Sequence, residues 1–185
     1  MTRILGISGS LRQGSLNSAL LRAGVGLMPD GATLEIASLV GIPLYNGDEE
    51  AAHGLPAAVV ALKDAIAGAD GVLLVTPEYN NGIPGVFKNA IDWASRPAND
   101  SARVFGNRPF ALMGASPGAF GTILAQDAWL PVLRALGTRL WSGGRLMASR
   151  ADGLFDEQGR LTDEATRGRL RAFLAGFTDF ARGAA

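Results

Sequence analysis

Residues 3–18 carry the sequence RILGISGSLRQGSLNS, in which a short apolar run is followed by a loop rich in serine and glycine. After Ser15, apolar residues return with helical spacing, at Leu16, Ala19, Leu20, Ala23 and Leu27. The run at 3–8 is therefore predicted to be a strand, and the segment 15–28 a helix. A strand, a polar loop and a helix in this order are typical of the first unit of an alternating α/β fold.

The same alternation continues along the rest of the chain. Further strands are predicted at residues 32–38, 70–76, 108–115, 138–141 and 146–148. Helices with one apolar face are predicted at residues 55–69, 84–96, 124–136 and 162–181. Strands that alternate with helices favour a parallel sheet covered on both faces, which binds ligands at the carboxyl ends of its strands.

Two local predictions concern the segments between these elements. The last helix is predicted to begin at Thr162, whose hydroxyl can cap it, while Asp163 and Glu164 suit the positive end of the helix dipole. The stretch GIPLYNGD at residues 41–48 is predicted to be a loop.

Composition excludes several function classes. The 185 residues contain 17 Lys and Arg against 17 Asp and Glu, so no strong basic field exists to hold nucleic acid or an anionic membrane. With no cysteine and one histidine, the chain cannot form a disulfide, a cysteine nucleophile, an iron-sulfur site or a His/Cys zinc cluster, and no metal site is expected. The longest apolar runs are too short to span a bilayer. We expect one soluble, cytoplasmic domain over residues 1–185.

The first loop, residues 8–18, places hydroxyls, glycines, Arg12 and Asn17 just before the N-terminus of a helix. Free backbone N–H groups and the helix dipole favour an anion there, so the loop is interpreted as a phosphate-binding site. It departs from two common nucleotide motifs, because Ser15 stands where a triphosphate-binding loop needs lysine and Ser8 replaces the middle glycine of Gly-x-Gly-x-x-Gly. The alternative is a plain turn in which Ser15 serves only as a helix cap.

The second loop, TPEYNNGIPG at residues 76–85, follows a strand that is apolar throughout its middle. Proline fixes φ and Asn-Gly favours tight turns, so the simplest interpretation is a rigid turn. A rigid turn also suits a flat ring, which needs a preformed edge of backbone donors and acceptors. Rigidity and ligand binding are therefore compatible in this loop.

The third loop, GASPG at residues 114–118, has the Gly-x-Ser-x-Gly pattern of a hydrolase nucleophile elbow. In such an elbow the N–H of the residue after the serine stabilises the oxyanion, but here that residue is Pro117, which has no N–H. The single histidine, His53, precedes Ser116, opposite to the usual chain order, and is expected in a surface loop. A serine hydrolase that uses Ser116 stays open as an alternative.

Two longer motifs occur in order along the chain. The first is Gly9-Ser-Leu-Arg-x-Gly-Ser-x-Asn17, and the second joins Thr76-Pro-Glu-Tyr-Asn80 to Pro84-Gly-x-x-Lys-Asn-Ala-Ile-Asp-Trp93. Together they resemble the NADPH-dependent FMN reductase family, which includes quinone, chromate and azo-dye reductases. The resemblance implies an α/β flavodoxin-like three-layer sandwich, with a five-stranded parallel sheet of order 2-1-3-4-5 and tightly bound FMN.

The resemblance also implies, by position, which residues of the three loops bind the cofactor. They are Ser10, Arg12, Ser15, Leu16, Asn17 and Ser18 around the phosphate, Pro77, Glu78, Tyr79 and Asn80 along the isoalloxazine ring, and Ser116 and Gly118 at its other edge. No side chain is assigned as catalytic, because the flavin performs the redox chemistry. Thr122 departs from the family, whose members often carry a second glycine after Gly121, so backbone approach is expected to be less free there.

The activity implied by the resemblance is hydride transfer from NADPH or NADH to FMN and on to a quinone, or to chromate, azo or nitro compounds. The implied partners are a small-molecule acceptor and further copies of the chain in a homodimer or homotetramer. Phe87, Trp93 and Trp129 are candidates for the interface, and ordinary core positions are the alternative for each. An electron carrier with little turnover is the alternative with the same fold. Such carriers tend to be strongly acidic, so the balanced charge favours an enzyme.

Overall fold

A parallel sheet forms the centre of the computed structural model, which describes residues 1–183. Its strands are β1 (Thr2–Ser8), β2 (Ala32–Ala37), β3 (Gly71–Val75), β4 (Pro109–Ala115), β5 (Arg139–Leu140) and β6 (Leu146–Ala148). The strand order is β2-β1-β3-β4-β5, and β6 also pairs with β4. The predicted order 2-1-3-4-5 is therefore confirmed, with its fifth position divided between two short strands that pair with opposite ends of β4.

Helices cover both faces of the sheet. They are α1 (Leu16–Val25), α2 (Gly47–His53), α3 (Ala57–Ala67), α4 (Gly85–Ala94), α5 (Ser101–Phe105), α6 (Ile123–Ala135) and α7 (Glu164–Arg182). The apolar sides of α1 and α7 pack on one face, and those of α3 to α6 pack on the other. The three-layer sandwich is thus confirmed. None of the helices within residues 1–183 combines the length and apolarity needed to cross a membrane.

Helix α2 replaces the end of the segment that was predicted to be a loop. Its N-cap is Asn46, whose side chain accepts a hydrogen bond from the backbone N–H of Asp48, and the acidic residues 48–50 occupy its first turn. None of its residues is buried, so the sequence carries no apolar periodicity there. The expectation that His53 lies in a loop was wrong, because it ends this helix.

The start of α7 differs by one residue from the prediction. Asp163, not Thr162, is the N-cap, and its carboxylate accepts the N–H of Thr166 at 2.7 Å. The Thr162 hydroxyl instead donates to the carbonyl of Leu154 at 3.3 Å. A carboxylate at this position combines the cap with a favourable interaction with the helix dipole.

The three aromatic residues that were candidates for an interface or for the core belong to the core. Phe87, Trp93 and Trp129 are each at most 1% exposed. Phe87 packs edge-to-face on Trp129 with ring centroids 5.0 Å apart, and the indole N–H of Trp93 donates to the carbonyl of Pro43 at 2.9 Å. The core alternative is therefore confirmed and the interface alternative was wrong, because the loop after β2 covers Trp93, and Trp129 of helix α6 packs on Phe87.

Candidate functional site

A cavity of about 330 Å³ lies at the carboxyl ends of β1, β3 and β4. Most of the predicted cofactor-binding residues line it, namely Ser10, Arg12, Ser15, Leu16, Asn17, Pro77, Glu78, Tyr79 and Ser116. Parallel strands end at one edge of the sheet, so three loops that are distant in sequence meet there.

Three of the predicted residues lie beside the cavity rather than in its wall. The Ser18 hydroxyl is bonded to the Ser8 hydroxyl at 2.8 Å and lines a neighbouring groove. Asn80 lies at the exposed tip of a turn. Gly118 donates its N–H to the Ser116 hydroxyl and accepts the N–H of Arg150.

The first loop ends in a capped helix. The side chain of Ser15 accepts the N–H of Ser18 at 3.2 Å, so Ser15 caps the helix, as the alternative interpretation of this loop expected. The first N–H groups of a helix have no acceptor within it, which leaves those of Leu16 and Asn17 at the cavity wall. A side chain at Gly9 would collide with the ring of Phe87, so only glycine lets this loop pack against α4.

The buried side chain of Asn17 binds protein backbone. Its amide nitrogen donates to the carbonyl of Ala115 at 2.8 Å, and its amide oxygen accepts the N–H of the same residue at 2.9 Å. This pair of bonds ties the start of α1 to the end of β4. What Asn17 offers to an anion in the cavity is therefore chiefly its backbone N–H, a refinement of its predicted role.

The second loop forms a tight hairpin turn. Tyr79 and Gly82 exchange two backbone hydrogen bonds, of 3.2 and 3.0 Å. Asn80 and Asn81 between them have φ values of 50° and 61°, the left-handed pair required by a type I′ turn and well tolerated by asparagine. The prediction of a rigid turn is confirmed, and it holds Tyr79 at the cavity with half of its surface exposed.

Glu78 connects the second loop to helix α6. One carboxylate oxygen accepts the backbone N–H groups of Leu124 and Ala125, at 2.8 and 2.9 Å. These N–H groups belong to the first turn of α6, and the side chain of the N-cap residue, Thr122, accepts neither of them. The second and third loops are thereby fixed against each other.

Close packing in the third loop occurs at Gly114 and not at Thr122. Thr122 has a φ of −120°, is fully buried, and accepts a hydrogen bond from the Gln126 amide at 3.1 Å. A side chain at Gly114, by contrast, would collide with the Thr122 hydroxyl and the Thr76 carbonyl. Thr122 thus needs no left-handed backbone, and it fills the space that Gly114 leaves free.

The geometry does not assemble a serine hydrolase. The Ser116 hydroxyl accepts the N–H of Gly118 at 3.1 Å, and no N–H follows it at Pro117. His53 lies at the end of α2, where its Nε2 is 3.6 Å from the Glu49 carboxylate. It lines a separate groove with Trp93 and so supplies no base to Ser116.

Four residues of the cavity wall were missed by sequence reasoning: Gly14 and Pro117, which lie in the predicted loops but were not assigned to the cofactor, and Ala115 and Asp152. Ala115 carries no chemical signal, and it lines the wall because it ends β4. Asp152 follows β6 in a short 3-10 turn, and its neighbour Ala151 donates to the carbonyl of Ser116 at 3.0 Å. The pairing of β6 with β4 places Asp152 at the cavity, and the weak strand signal of β6 gave no hint of this.

Doubly wound sheets of this strand order bind a mononucleotide between β1 and β3, where the direction of winding reverses. The cavity occupies that position, and the N-terminus of α1 lies in its wall. Fold and site together define a flavodoxin-like nucleotide-binding protein. The chain belongs to the NADPH-dependent FMN reductase family, whose sequence pattern matches residues 2–153.

Individual relatives and a solved structure agree with this assignment. The chain is 47% identical over 165 residues to an NAD(P)H-dependent FMN reductase of Pseudomonas aeruginosa, covering 89% of this chain and 87% of that protein. It is 37% identical to a 2-hydroxy-1,4-benzoquinone reductase of a Burkholderia species, covering 97% and 96%. The solved structure of the flavoenzyme NAD(P)H:(acceptor) oxidoreductase FerB from Paracoccus denitrificans has a TM-score of 0.88 at 34% identity and covers 100% and 99%.

Proposed function

We propose that this chain is an NAD(P)H-dependent FMN oxidoreductase that passes hydride from a nicotinamide to bound FMN and on to a quinone or a similar acceptor. The observation that carries the proposal is the cavity, where an anion-binding helix N-terminus and a rigid turn lie on walls of one pocket. Relatives named as FMN reductases and quinone reductases support both the cofactor and the acceptor class.

The residues present fit FMN. The free N–H groups of Leu16 and Asn17, the hydroxyl of Ser10 and the guanidinium of Arg12 form a donor set suited to a phosphate. Residues 77–79 and Ser116 offer backbone and a half-exposed aromatic ring to an isoalloxazine. Loops fixed to one another before binding lower the ordering cost of holding such a ligand.

When bound, FMN supplies the two-electron chemistry, accepting hydride and returning electrons to an acceptor. The protein's own task is to bind and orient. The backbone N–H groups at the start of α1 hold the anionic end, while Asn17 and Glu78 keep the surrounding loops in place. No side chain of the cavity needs to act as an acid or a base, which fits a chain with no cysteine and one histidine outside the pocket.

We also propose a cytoplasmic homodimer or homotetramer built from one domain over residues 1–185, of which 184–185 lie outside the described residues. Large apolar side chains on loops after β2 and β4 support self-association, since Leu44 is 82% exposed and Phe120 80% exposed. Light scattering of the purified protein is expected to give the mass of two or four chains. A single-chain mass at micromolar concentration would contradict this.

The decisive test is an anaerobic absorbance spectrum of the protein reconstituted with FMN, recorded before and after NADPH and again after benzoquinone. Flavin bands that bleach with NADPH and return with benzoquinone are expected for the two-step reductase. Bound flavin that does not bleach with NADPH or NADH would instead support an electron carrier. Failure to bind FMN would overturn the proposal.

A further inference from the structure

Helix α6 is capped by a residue from another part of the chain. Helices α1, α2 and α7 each begin with an N-cap residue whose own side chain accepts a backbone N–H, at Ser15, Asn46 and Asp163. Thr122 precedes α6 but makes no such bond, because its buried hydroxyl packs against Gly114 and bonds to the side chain of Gln126. The N–H groups of the first turn then need another acceptor.

Glu78 supplies that acceptor from 46 residues away in sequence. A single carboxylate oxygen accepts two N–H groups in a charge-assisted, bifurcated hydrogen bond. Its negative charge also lies at the positive end of the helix dipole, which is a favourable position. Glu78 is partly buried as a residue, and its bond to Ala125 is the less exposed of the two. Such a contact fixes the backbone of Glu78 relative to α6.

The neighbours of Glu78 in sequence, Pro77 and Tyr79, both line the cavity. The hairpin turn after Tyr79 closes on itself through the pair Tyr79 and Gly82, and within residues 1–183 none of its backbone hydrogen bonds reaches α6. The position of this wall therefore depends on the side chain of Glu78. The third loop, which starts at Gly114, continues after β4 through residues 116–122 and leads directly into the same helix end.

We propose that Glu78 is a positioning residue for the cofactor: its carboxylate caps α6 and so holds the second and third loops at the separation that the flavin ring requires. The inference rests on the proposed function, because the ligand is FMN. Glu78 acts through the loops, and its contribution is preorganisation of the empty site.

The test compares Glu78→Ala and Glu78→Gln with the wild type. The alanine variant loses both bonds, and we expect its Kd for FMN, measured by quenching of flavin fluorescence, to rise about tenfold. The glutamine variant keeps an acceptor oxygen but loses the charge, so a rise of roughly threefold is expected. In both variants the amide protons of Leu124 and Ala125 are expected to exchange faster with solvent in the apoprotein.

Asp163→Ala is the matched control. It removes another carboxylate helix cap, at α7, from a residue that does not line the cavity. We expect a lower Tm, as in the Glu78 variants, but an unchanged Kd for FMN. This control separates a positioning role of Glu78 from a general loss of stability.

Two outcomes would overturn the proposal. One is faster amide exchange at Leu124 and Ala125 in Glu78→Ala with wild-type affinity for FMN, which would make the cap merely structural. The other is unchanged exchange in the apoprotein, which would show that the carboxylate does not cap α6. Failure of the proposed function itself is distinguishable, because wild type and Asp163→Ala would then also fail to bind FMN.

Discussion

The cavity and the cluster of charged residues around α3 and α5 use polar side chains in opposite ways. Around the cavity, Asn17 and Glu78 bind backbone groups of elements distant in sequence, at the end of β4 and at the start of α6. Around α3 and α5, charged side chains bind one another: the ammonium of Lys63 is 3.0 Å from the carboxylate of Asp100, which is also 2.7 Å from the guanidinium of Arg103. The first region positions loops, and the second joins helices.

The difference follows from whether a region must leave backbone N–H groups free for a ligand. Side chains that bind backbone in the cavity fix its walls and leave the N–H groups at the start of α1 to a ligand. In the ionic cluster, Lys63 is almost fully buried and also donates to the backbone carbonyl of Arg96, so the partners of its ammonium group all lie within the protein. Changes in the first region should alter cofactor binding, whereas changes in the second should alter stability alone.

The largest effect is expected from Asn17→Ala. Removing both bonds leaves the N–H and carbonyl of Ala115 buried without partners, at a cost of about 3 kcal/mol in the free energy of unfolding. We also expect at least a tenfold weaker affinity for FMN, because the end of β4 loses its tie to α1. Urea unfolding and fluorescence titration with FMN measure the two effects.

Asn89→Ala is the matched control for this change. The Asn89 amide also accepts one backbone N–H, from Tyr45, and donates to one carbonyl, of Pro43, but it lies outside the cavity and is less buried. A loss of about 1 kcal/mol is expected, with unchanged affinity for FMN. Equal loss of FMN affinity in both variants would contradict the distinction between the regions.

A smaller effect is expected from Lys63→Met. The variant loses the ion pair with Asp100 and the bond to the Arg96 carbonyl, but Asp100 keeps Arg103 and a methionine fills the buried space. We therefore expect the free energy of unfolding to fall by about 2 kcal/mol, less than for a fully stranded charge. The affinity for FMN should match that of the wild type. A weaker affinity would show that the ionic cluster also positions the cofactor site.

The smallest effect concerns acid stability. Hydrogen bonds from Arg103 and Lys63 hold the pKa of Asp100 well below its usual value. Its charge therefore stabilises the fold above the unfolded-state pKa of about 3.9, and this stabilisation is lost as the pH falls toward the lower folded-state pKa. Between pH 5 and pH 3 the Tm of the wild type should fall more steeply than that of Asp100→Asn. Parallel Tm curves in calorimetry would refute this assignment.

Local sequence features predicted local structure well. Ser15 caps α1 as expected, and the Asn-Asn-Gly sequence forms the rigid turn after Tyr79, because both depend on residues a few positions apart. Predictions failed where burial was set by distant segments. Phe87, Trp93 and Trp129 look equally suited to a core or an interface in sequence, and only the packing of α6 and of the loop after β2 places them inside.

The residues predicted to bind the cofactor show the same difference between features set locally and features set by distant segments. Residue types and spacing in the first two loops predict an anion site and a ring site, because glycine, serine and proline carry strong backbone preferences. The partners of Asn17 and Glu78 could not be read from those preferences, since each side chain binds backbone that any residue could provide. Asp152 reaches the cavity only because β6 pairs with β4.

The sequence by itself determined the alternation of strands and helices, the capped helix start after the first strand and the tight turn after the third. Each is encoded by residues close together in the chain, whose backbone preferences act before any tertiary contact forms. The tertiary structure alone decided how the three loops are fastened together, and so which polar side chains remain for a ligand. Any residue can provide a backbone group, so a hydrogen bond to backbone cannot be predicted from the partner's sequence. The roles of Asn17 and Glu78 are therefore seen only when the sheet brings the carboxyl ends of its strands to one edge.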